Sequence, residues 1–577
     1  MPSVLNFGYT LAEVLGIPTT RWIKSLILSC CFSIGICFPL SAQALTENTE
    51  NISLNSCVLH LDKPFYVNGE IVWYKLYLPQ ELRQAGAIIK VQLCDAEGSV
   101  LKDHCLQLTQ EAYTFGYLQI PYDWASAVYH LIISTHRQGT HQYVQLADIP
   151  LPIYHDSDIP LSSSKHTVDS LSPSISAIDR QQALRIFIEM EKTAYQAGET
   201  VTVKLRLTDA QGDPLQAHAS VAVRDQGILG DEVMPNVFEG IKLNAAFPLD
   251  TLMHIQATFI DTLNRLLASG TMVAYLPYHQ QVIAVQYSPP ETYSLPLPKL
   301  YGSQALQFVD TYHPHAVLKL KAFAPTLSHP PLNYSPAVIR YLHDSRQRKK
   351  MYQLFRSIES ELKADFPRVV ADSFAYDRKY YMKDYESFPD LPTFLQEILT
   401  PLKARRTRKD GIVYKMLNTT WKHKSLYPEQ PIFIVNQYII TDKHIINDLT
   451  YKEIEYIEMF NDYKGLIAQF GAMGSNGVVK IQTTQDLTFL EEKGLANTFN
   501  IHTLQLPAKF PLRENQPRHL PNVRPQLYWN PSIHTEANGR ATFSFRHSDD
   551  LGSFQIEVVA QDEQGHIGRA VVVYEGR

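Results

Sequence analysis

The chain has 577 residues, a length that suits about three to five domains at roughly 100–200 residues each. Hydrophobic residues are 45% and charged residues 19%, which excludes a disordered or collagen-like polymer. Lys and Arg number 52 against 58 Asp and Glu, for a formal net charge of −6; without a basic excess, no nucleic-acid partner is expected.

Residues 1–44 read as a secretory signal peptide. Arg21 and Lys24 precede an apolar run from Ser25 to Leu40, and Ala42-Gln43-Ala44 sets small residues at a cleavage position. The run of about 16 residues is short against the roughly 20 a spanning helix needs. An uncleaved anchor is the alternative, as is lipid attachment at Cys30 behind the loose lipobox Ile27-Leu28-Ser29. Export leaves Cys57, Cys94 and Cys105 in the mature chain. Two readings stand for them: a Cys94–Cys105 bridge across neighbouring strands with one thiol left over, or three reduced and buried thiols. No Cys/His cluster has metal-ligand spacing, so no metal and no cofactor is expected.

Short strands begin after residue 45. The run from Leu59 to Leu78 superposes without gaps on the run from Ile188 to Leu207, 129 residues on. Eight of the twenty positions are identical: Lys63, Tyr66, Gly69, Glu70, Val72, Lys75, Leu76 and Leu78 recur as Lys192, Tyr195, Gly198, Glu199, Val201, Lys204, Leu205 and Leu207. That is a domain-sized duplication. Each copy reads as strand, turn, strand, with Gly69 and Gly198 at turns where a positive φ costs glycine least. Val201 to Leu207 alternates apolar and polar residues, the pattern of a strand with one buried face, and several such strands predict a β-sandwich. Tyr66 and Tyr195 read as packed rings with hydrogen-bonded hydroxyls. Residues 156–182, rich in Ser, read as a linker.

The pattern Asp62, Lys63, Tyr66, Gly69, Glu70, Val72 resembles the macroglobulin-type domain of the alpha-macroglobulin superfamily. Lys192, Tyr195, Gly198 and Glu199 repeat it, with Glu191 in place of the aspartate. The resemblance implies macroglobulin-like β-sandwiches at 45–155 and 183–285. It does not extend to covalent protease trapping, because the G-C-G-E-Q thioester motif is missing from the sequence.

A β segment is expected at 286–330 and a helical segment at 331–410. Val338, Ile339, Leu342, Leu354 and Ile358 fall at helix-compatible spacings. The basic runs Arg346–Lys350 and Lys403–Lys409 read as a solvated helix face and loop. Residues 411–490 then alternate strands with a glycine-rich loop. Gly471, Gly474 and Gly477 lack the G-K-[ST] ending of a phosphate loop, so nucleotide binding is rejected. Pro431, the segment Glu453–Glu458 with Glu455 and Glu458, the loop Gly471, Gly474, Asn476, Gly477, and the β-branched strand behind it resemble the plug domain of TonB-dependent outer-membrane receptors. Asn436 and Gln437 stand where that family has Asp-Gly. The 93 residues after Thr484 are too few for such a receptor's barrel. Residues 491–577 read as a final β-sandwich segment, expected to pair with strands before 330 such as Ala316–Phe323, which would leave helices and plug as an insertion.

The expected fold is therefore mainly β and multi-domain: tandem macroglobulin/immunoglobulin-like β-sandwiches, a small α+β plug-like domain and a helical segment. The arrangement resembles envelope proteins of Bacteroidetes-type bacteria that join such modules to a barrel-less plug. No H-E-x-x-H helix and no G-x-S-x-G elbow occurs in the sequence. His60, His104 and His218 read as ordinary core or surface histidines, and Asp549-Asp550 and Asp562-Glu563 as loop charge. No catalytic residue is assigned. The expected function is a non-enzymatic exported protein, in the periplasm or at the outer membrane, docking an outer-membrane barrel or the TonB system. It would meet the membrane through that partner or an anchor. The alternatives are a macroglobulin-type binding module for peptide, glycan or protease, and an enzyme with an unrecognised site.

Overall fold

The computed structural model describes residues 57–577 apart from 159–183, 230–247, 356–373, 485–496, 513–519 and a few shorter loop stretches. The expected signal peptide and nearly all of the expected linker lie outside the described residues. The chain is mainly β, and the described residues form eight sheets.

The first sandwich is continuous in sequence. Val58–Leu61, Ile71–Tyr77 and Tyr113–Gln119 form a three-stranded sheet. Tyr66–Val67, Tyr143–Tyr154, Ala127–His136, Ile88–Cys94 and Val100–Gln107 form, in that order, a five-stranded one. Leu61, Val72, Tyr74 and Leu76 from one sheet meet Val91, Leu93, Leu131 and Ile149 from the other in a buried core.

The second sandwich repeats this topology strand for strand, but its sequence is split. Arg185–Met190, Thr200–Thr208 and Arg540–Arg546 make the three-stranded sheet. Ala194–Tyr195, Ile567–Gly576, Gly552–Asp562, Ala217–Asp225 and Gln526–His534 make the five-stranded one. The expected boundary 183–285 is therefore corrected: the module consists of 185–225 and 526–576. Val317–Leu320, the described part of the expected partner stretch, pairs with Ala257–Ile260 rather than with the C-terminal strands. Where the first copy turns at Asp95–Ser99 between its fourth and fifth strands, the second carries everything from 226 to 525. The insertion is tolerated because its ends meet. Arg224 pairs with Gln526, and the Asp225 amide donates to the Pro525 carbonyl at 2.8 Å.

Inside that insertion lies a third, nested sandwich. Its sheets are Tyr293–Leu297, Met253–Ile260, Val317–Leu320, and Gln281–Tyr287, Gly270–Leu276, Ser303–Asp310, Thr498–His502. The expected β segment 286–330 is thus part of a module that began near 250 and closes only after 497.

The helix Pro336–Leu354 follows. The Ser335 Oγ accepts the Val338 amide at 3.2 Å, and Pro336 occupies the first turn, where its missing N–H costs nothing. Val338, Tyr341, Leu342, Ser345, Arg348 and Tyr352 recur at three- and four-residue steps and are buried. Val338, Tyr341 and Leu342 pack on Phe65, Val67 and Tyr154 of the first sandwich. The basic run is not a solvated face: Arg348 is buried against the Tyr341 ring, and Lys349 pairs with Asp156 at 2.8 Å.

The α+β module reaches further N-terminal than 411, and the described part of 331–410 is only partly helical. Its sheet runs Arg378–Tyr381, Ile454–Phe460, Val478–Thr483, Ile432–Val435, Tyr438–Ile440. Helices Leu391–Glu397, Lys443–Asp448 and Tyr463–Phe470 accompany it, and the basic stretch after 402 is the strand Leu402–Thr407. Its core, with Phe433, Ile457, Phe460 and Phe470, is continuous with Val273 and Tyr275 of the nested sandwich.

Candidate functional site

The repeated motif builds the same turn twice. In the first copy the Tyr66 hydroxyl donates to Asp62 Oδ1 at 2.5 Å, and the Trp73 amide donates to the same oxygen at 2.8 Å. Lys63 Nζ lies 2.5 Å from Glu70 Oε2, which also accepts the Val67 amide at 3.0 Å. Gly69 has φ +85°, the conformation that calls for glycine, and the exposed Tyr122 ring lies over the place a Cβ would take. The helix Pro336–Leu354 closes over the turn, and its Tyr341 hydroxyl donates to Glu70 Oε1 at 2.5 Å. Burial pushes the Glu70 carboxyl up, but the Lys63 charge and the bonds from Lys63 and Tyr341 outweigh it and hold the group below its ordinary value. Burial dominates at Asp62 and raises it to about 6.

The second copy keeps the turn without the lid. Lys192 pairs with Glu199, the Gln196 amide donates to Glu199 Oε2 at 2.9 Å, and the Lys192 amide donates to the Tyr195 hydroxyl at 3.2 Å. Gly198 again has positive φ, at +71°. Lys192 is exposed. Both copies are structural turns, one sealed and one in water.

Between the first two sandwiches lies a polar seam that sequence spacing did not bring together. His60 Nδ1 is 2.6 Å from Ser220 Oγ, and His60 Nε2 is 3.9 Å from Glu557 Oε2. Arg224 pairs with Glu557 at 2.9 Å, and the Tyr77 hydroxyl reaches both Ser220 Oγ, at 2.7 Å, and the Val559 carbonyl, at 2.8 Å. The residue types are those of a Ser-His-acid triad. The setting is not: Ser220, His60 and Glu557 are each 0% exposed, so no substrate reaches the serine. The seam aligns two sheets, with Trp73 and Ile71 packing beside it on Trp529 and Ala222.

Burial lowers the His60 imidazole to about 4, with the Glu557 charge opposing it, and burial lowers His104 to about 4 as well. A base whose folded value is depressed contributes stability that is complete above its unfolded value near 6.5 and is lost as the pH falls toward 4. Each shift corresponds to about 3 kcal/mol. Asp62 works in the opposite sense, since its contribution is present below about 3.8 and is lost as the pH rises through about 6. Burial lowers His547 to about 4 as well and raises the Asp550 carboxyl, so with three imidazoles against the carboxyls of Asp62 and Asp550 the urea midpoint should fall between pH 6.5 and 4.5. A midpoint that is flat or rises over that interval would rule out neutral burial of these imidazoles.

In the α+β module the plug-like motif residues sit at the ends and centre of one sheet. Pro431 leads into Ile432–Val435, whose first amide bonds to the Gly477 carbonyl at 3.0 Å. Asn476 Oδ1 accepts the Glu429 amide at 3.1 Å. Gly477, at φ +97°, would drive a Cβ to 2.7 Å from Met416, and Gly474 packs tightly under Phe470. Gly471 has φ +58° and caps the helix Tyr463–Phe470. At the other end Asn436 takes a left-handed conformation at φ +56°, and its Oδ1 accepts both the amide and the hydroxyl of Thr483 at 2.9 Å. With exposed Gln437 it makes a two-residue hairpin between Val435 and Tyr438. Glu458 is buried mid-sheet between Lys379 at 2.9 Å and Lys480 at 3.6 Å, whereas Glu455 is exposed.

Among the described residues Cys57, Cys94 and Cys105 are free and buried. Cys94 pairs across the ladder with Val100, and Cys105 with Lys90, so the two sulfurs belong to different rungs, and of the two readings the structure has the reduced, buried thiols. Burial raises Cys57 to about 12 and Cys94 and Cys105 to about 11, which keeps the thiols protonated and inert. One aromatic cleft opens beside Trp73, Phe115, Tyr117, Tyr301 and Gln505, with about 670 Å³ counted out to solvent. The Gln505 side chain bonds both ways to the Tyr117 backbone, at 3.0 and 2.7 Å.

No protein-family model matches the chain, and no curated protein does. Among solved structures it is similar to the native conformation of E. coli alpha-2-macroglobulin, with a TM-score of 0.23, 8% identity, and 92% of this chain covered against 40% of that one. Salmonella alpha-2-macroglobulin reacted with methylamine gives 0.22, 8%, 92% and 40%. An adhesin of Yersinia pseudotuberculosis gives 0.13, 8%, 45% and 57%. The chain thus spans about 40% of the length of the macroglobulins it matches. Likenesses this weak carry no conclusion about chemistry. Among the described residues no helix is long and apolar enough to cross a membrane, which leaves β-barrels unaddressed.

Proposed function

We propose that this chain is an exported, non-enzymatic cell-envelope protein whose sandwiches hold out a plug-like module for docking to an outer-membrane barrel or a TonB-linked component. The observation that carries this reading is the asymmetry of the module's sheet edges. At one edge the Gln307 amide of the nested sandwich accepts the Ile439 N–H at 2.7 Å and donates to the Ile439 carbonyl at 3.1 Å, capping the strand. At the other, Arg378–Tyr381 is the last strand among the described residues, with Tyr381 and the preceding Tyr376 exposed and Lys379 held 3.5 Å over the Tyr456 ring. An open edge flanked by aromatics suits the addition of a partner strand. Cross-linking in native envelopes with the intact chain and with a Tyr376→Ser/Tyr381→Asp chain tests it. The intact chain should capture a barrel protein or TonB-type component that the variant loses; equal recovery by both, or none by either, refutes the docking role.

The aromatic cleft at Trp73, Tyr117 and Tyr301 favours a second reading, a macroglobulin-type binding module for peptide or glycan. Under that reading a Tyr117→Ala chain loses ligand while the edge variant keeps it.

A further inference from the structure

We propose that His136, Asp250 and His254 form a transition-metal site that ties the first sandwich to the nested one. His136 ends the strand Ala127–His136. The segment 248–250 is sewn onto that strand end: the Asp250 amide donates to the His136 carbonyl at 2.9 Å, and the Gln138 amide to the Pro248 carbonyl at 3.0 Å. The Ile88 amide donates to the Asp250 carbonyl at 2.9 Å, fixing the same segment from the neighbouring strand. The chain then turns and starts Met253–Ile260 of the nested sandwich, which brings His254 back over Asp250 four residues on.

The carboxylate is oriented before any ion arrives. Asp250 Oδ1 accepts the Leu252 amide at 2.9 Å, which leaves Oδ2 facing the imidazoles, 2.9 Å from His254 Nε2 and 3.4 Å from His136 Nδ1. One donor atom from each residue lies within 4.8 Å of the others. Four-coordinate zinc with bonds of about 2.0–2.2 Å sets its ligands about 3.3–3.6 Å apart, so the His136 spacing already matches the coordinated distance and the His254 spacing needs to open by about half an ångström. The two rings stack at 4.3 Å with planes 10° apart, and an ion between their nitrogens opens that stack. The Tyr143 hydroxyl donates to the His254 carbonyl at 2.6 Å, and its ring stands edge-on to His136, supporting both ligands from behind.

Two imidazoles and one carboxylate select Zn²⁺, Co²⁺ or Ni²⁺ over Ca²⁺ and Mg²⁺, which demand oxygen shells. Three protein ligands leave a fourth position for water. Asp250 and His254 each keep 11% side-chain exposure, enough for an ion to enter from the junction. The ion's place between residue 136 of one module and residues 250 and 254 of the next makes its role a clasp.

The test uses the full chain, stripped with chelator and titrated with Zn²⁺ by calorimetry, beside Asp250→Asn and His254→Gln chains. The intact chain should bind one tight equivalent and melt at higher temperature when loaded. Each variant should bind that equivalent at least about tenfold to a hundredfold more weakly, since removing even an outer-shell partner costs that much. Identical stoichiometry and affinity in all three overturns the site. Should a variant lose its cooperative melt, Co²⁺ in the intact chain decides: four-coordinate ligand-field bands saturating at one equivalent support the site, and spectra of the aqueous ion throughout overturn it.

Discussion

Lys63→Ala should lower the stability of the first sandwich by about 3–5 kcal/mol, while Lys192→Ala, at the same place in the repeat, should leave the urea midpoint of its own module within error. Both lysines close the same turn on a glutamate seven residues on. The difference is the helix Pro336–Leu354, which covers only the first copy. Lys63 and Glu70 are 4% and 9% exposed, and removing the ammonium takes away the directly bonded counter-ion, leaving the carboxylate the Val67 amide, the Tyr341 hydroxyl and the Arg348 charge. A buried charge left without its counter-ion is costly, whereas Lys192 at 56% exposure hands its glutamate to water. The lid should respond as well. Limited proteolysis of Lys63→Ala is expected to cut within 336–354, where the intact chain resists. Equal loss of stability in the two variants would mean that the lid contributes nothing to the first clamp.

The contrast also marks what can be read from sequence. Lys, Tyr, Gly and Glu recur because the turn is local: it needs a positive φ at Gly69 and Gly198 and a carboxylate four residues past the tyrosine, all within a dozen residues. The glycine-rich loop was legible for the same reason, since Gly471 and Gly477 take positive φ, a local demand that glycine meets. The second sandwich was legible only as far as its fourth strand. Its remaining strands begin at Gln526, and nothing local distinguishes the partner of Thr200–Thr208 from any other alternating strand. The seam had a fainter signal. Lys75, Arg224 and Glu557 are charges set within apolar strands, on faces that a solitary sandwich would show to water. Such positions mark a buried sheet-to-sheet contact, but which charge meets which depends on the docking of two modules. His136 with Asp250 and His254 is similar: the Asp-x-x-x-His spacing is visible, and its third member is more than a hundred residues away.

Ending the chain before Gln526 should abolish the second sandwich and leave the core of the first. The deleted residues supply Arg540–Arg546 of the three-stranded sheet and three of the five strands in the other. Val201, Val203, Leu205, Leu207, Val221 and Val223, all buried, lose Phe543, Phe545, Phe554, Ile556 and Val558 as their cover. At about 1.5–3 kcal/mol for each side chain returned to water, six such residues rival the roughly 5–15 kcal/mol that holds an ordinary domain. The first sandwich has all eight of its strands between Val58 and Tyr154 and keeps its own core, but it loses Glu557 from beside His60 and Val559 from beside Tyr77. Hydrogen exchange read by mass spectrometry separates the two responses. Amides of 200–225 should exchange at the rate of unfolded chain in the truncated protein, while those of 88–94 and 127–136 stay protected. Protection retained at 200–225 would show that the four N-terminal strands of the second copy find another partner, and that the split sandwich is not the unit in which this region folds. Loss of protection in both regions would instead place the cooperative boundary around the two sandwiches together. Their polar seam would then be a condition of folding for the first module as well as the second.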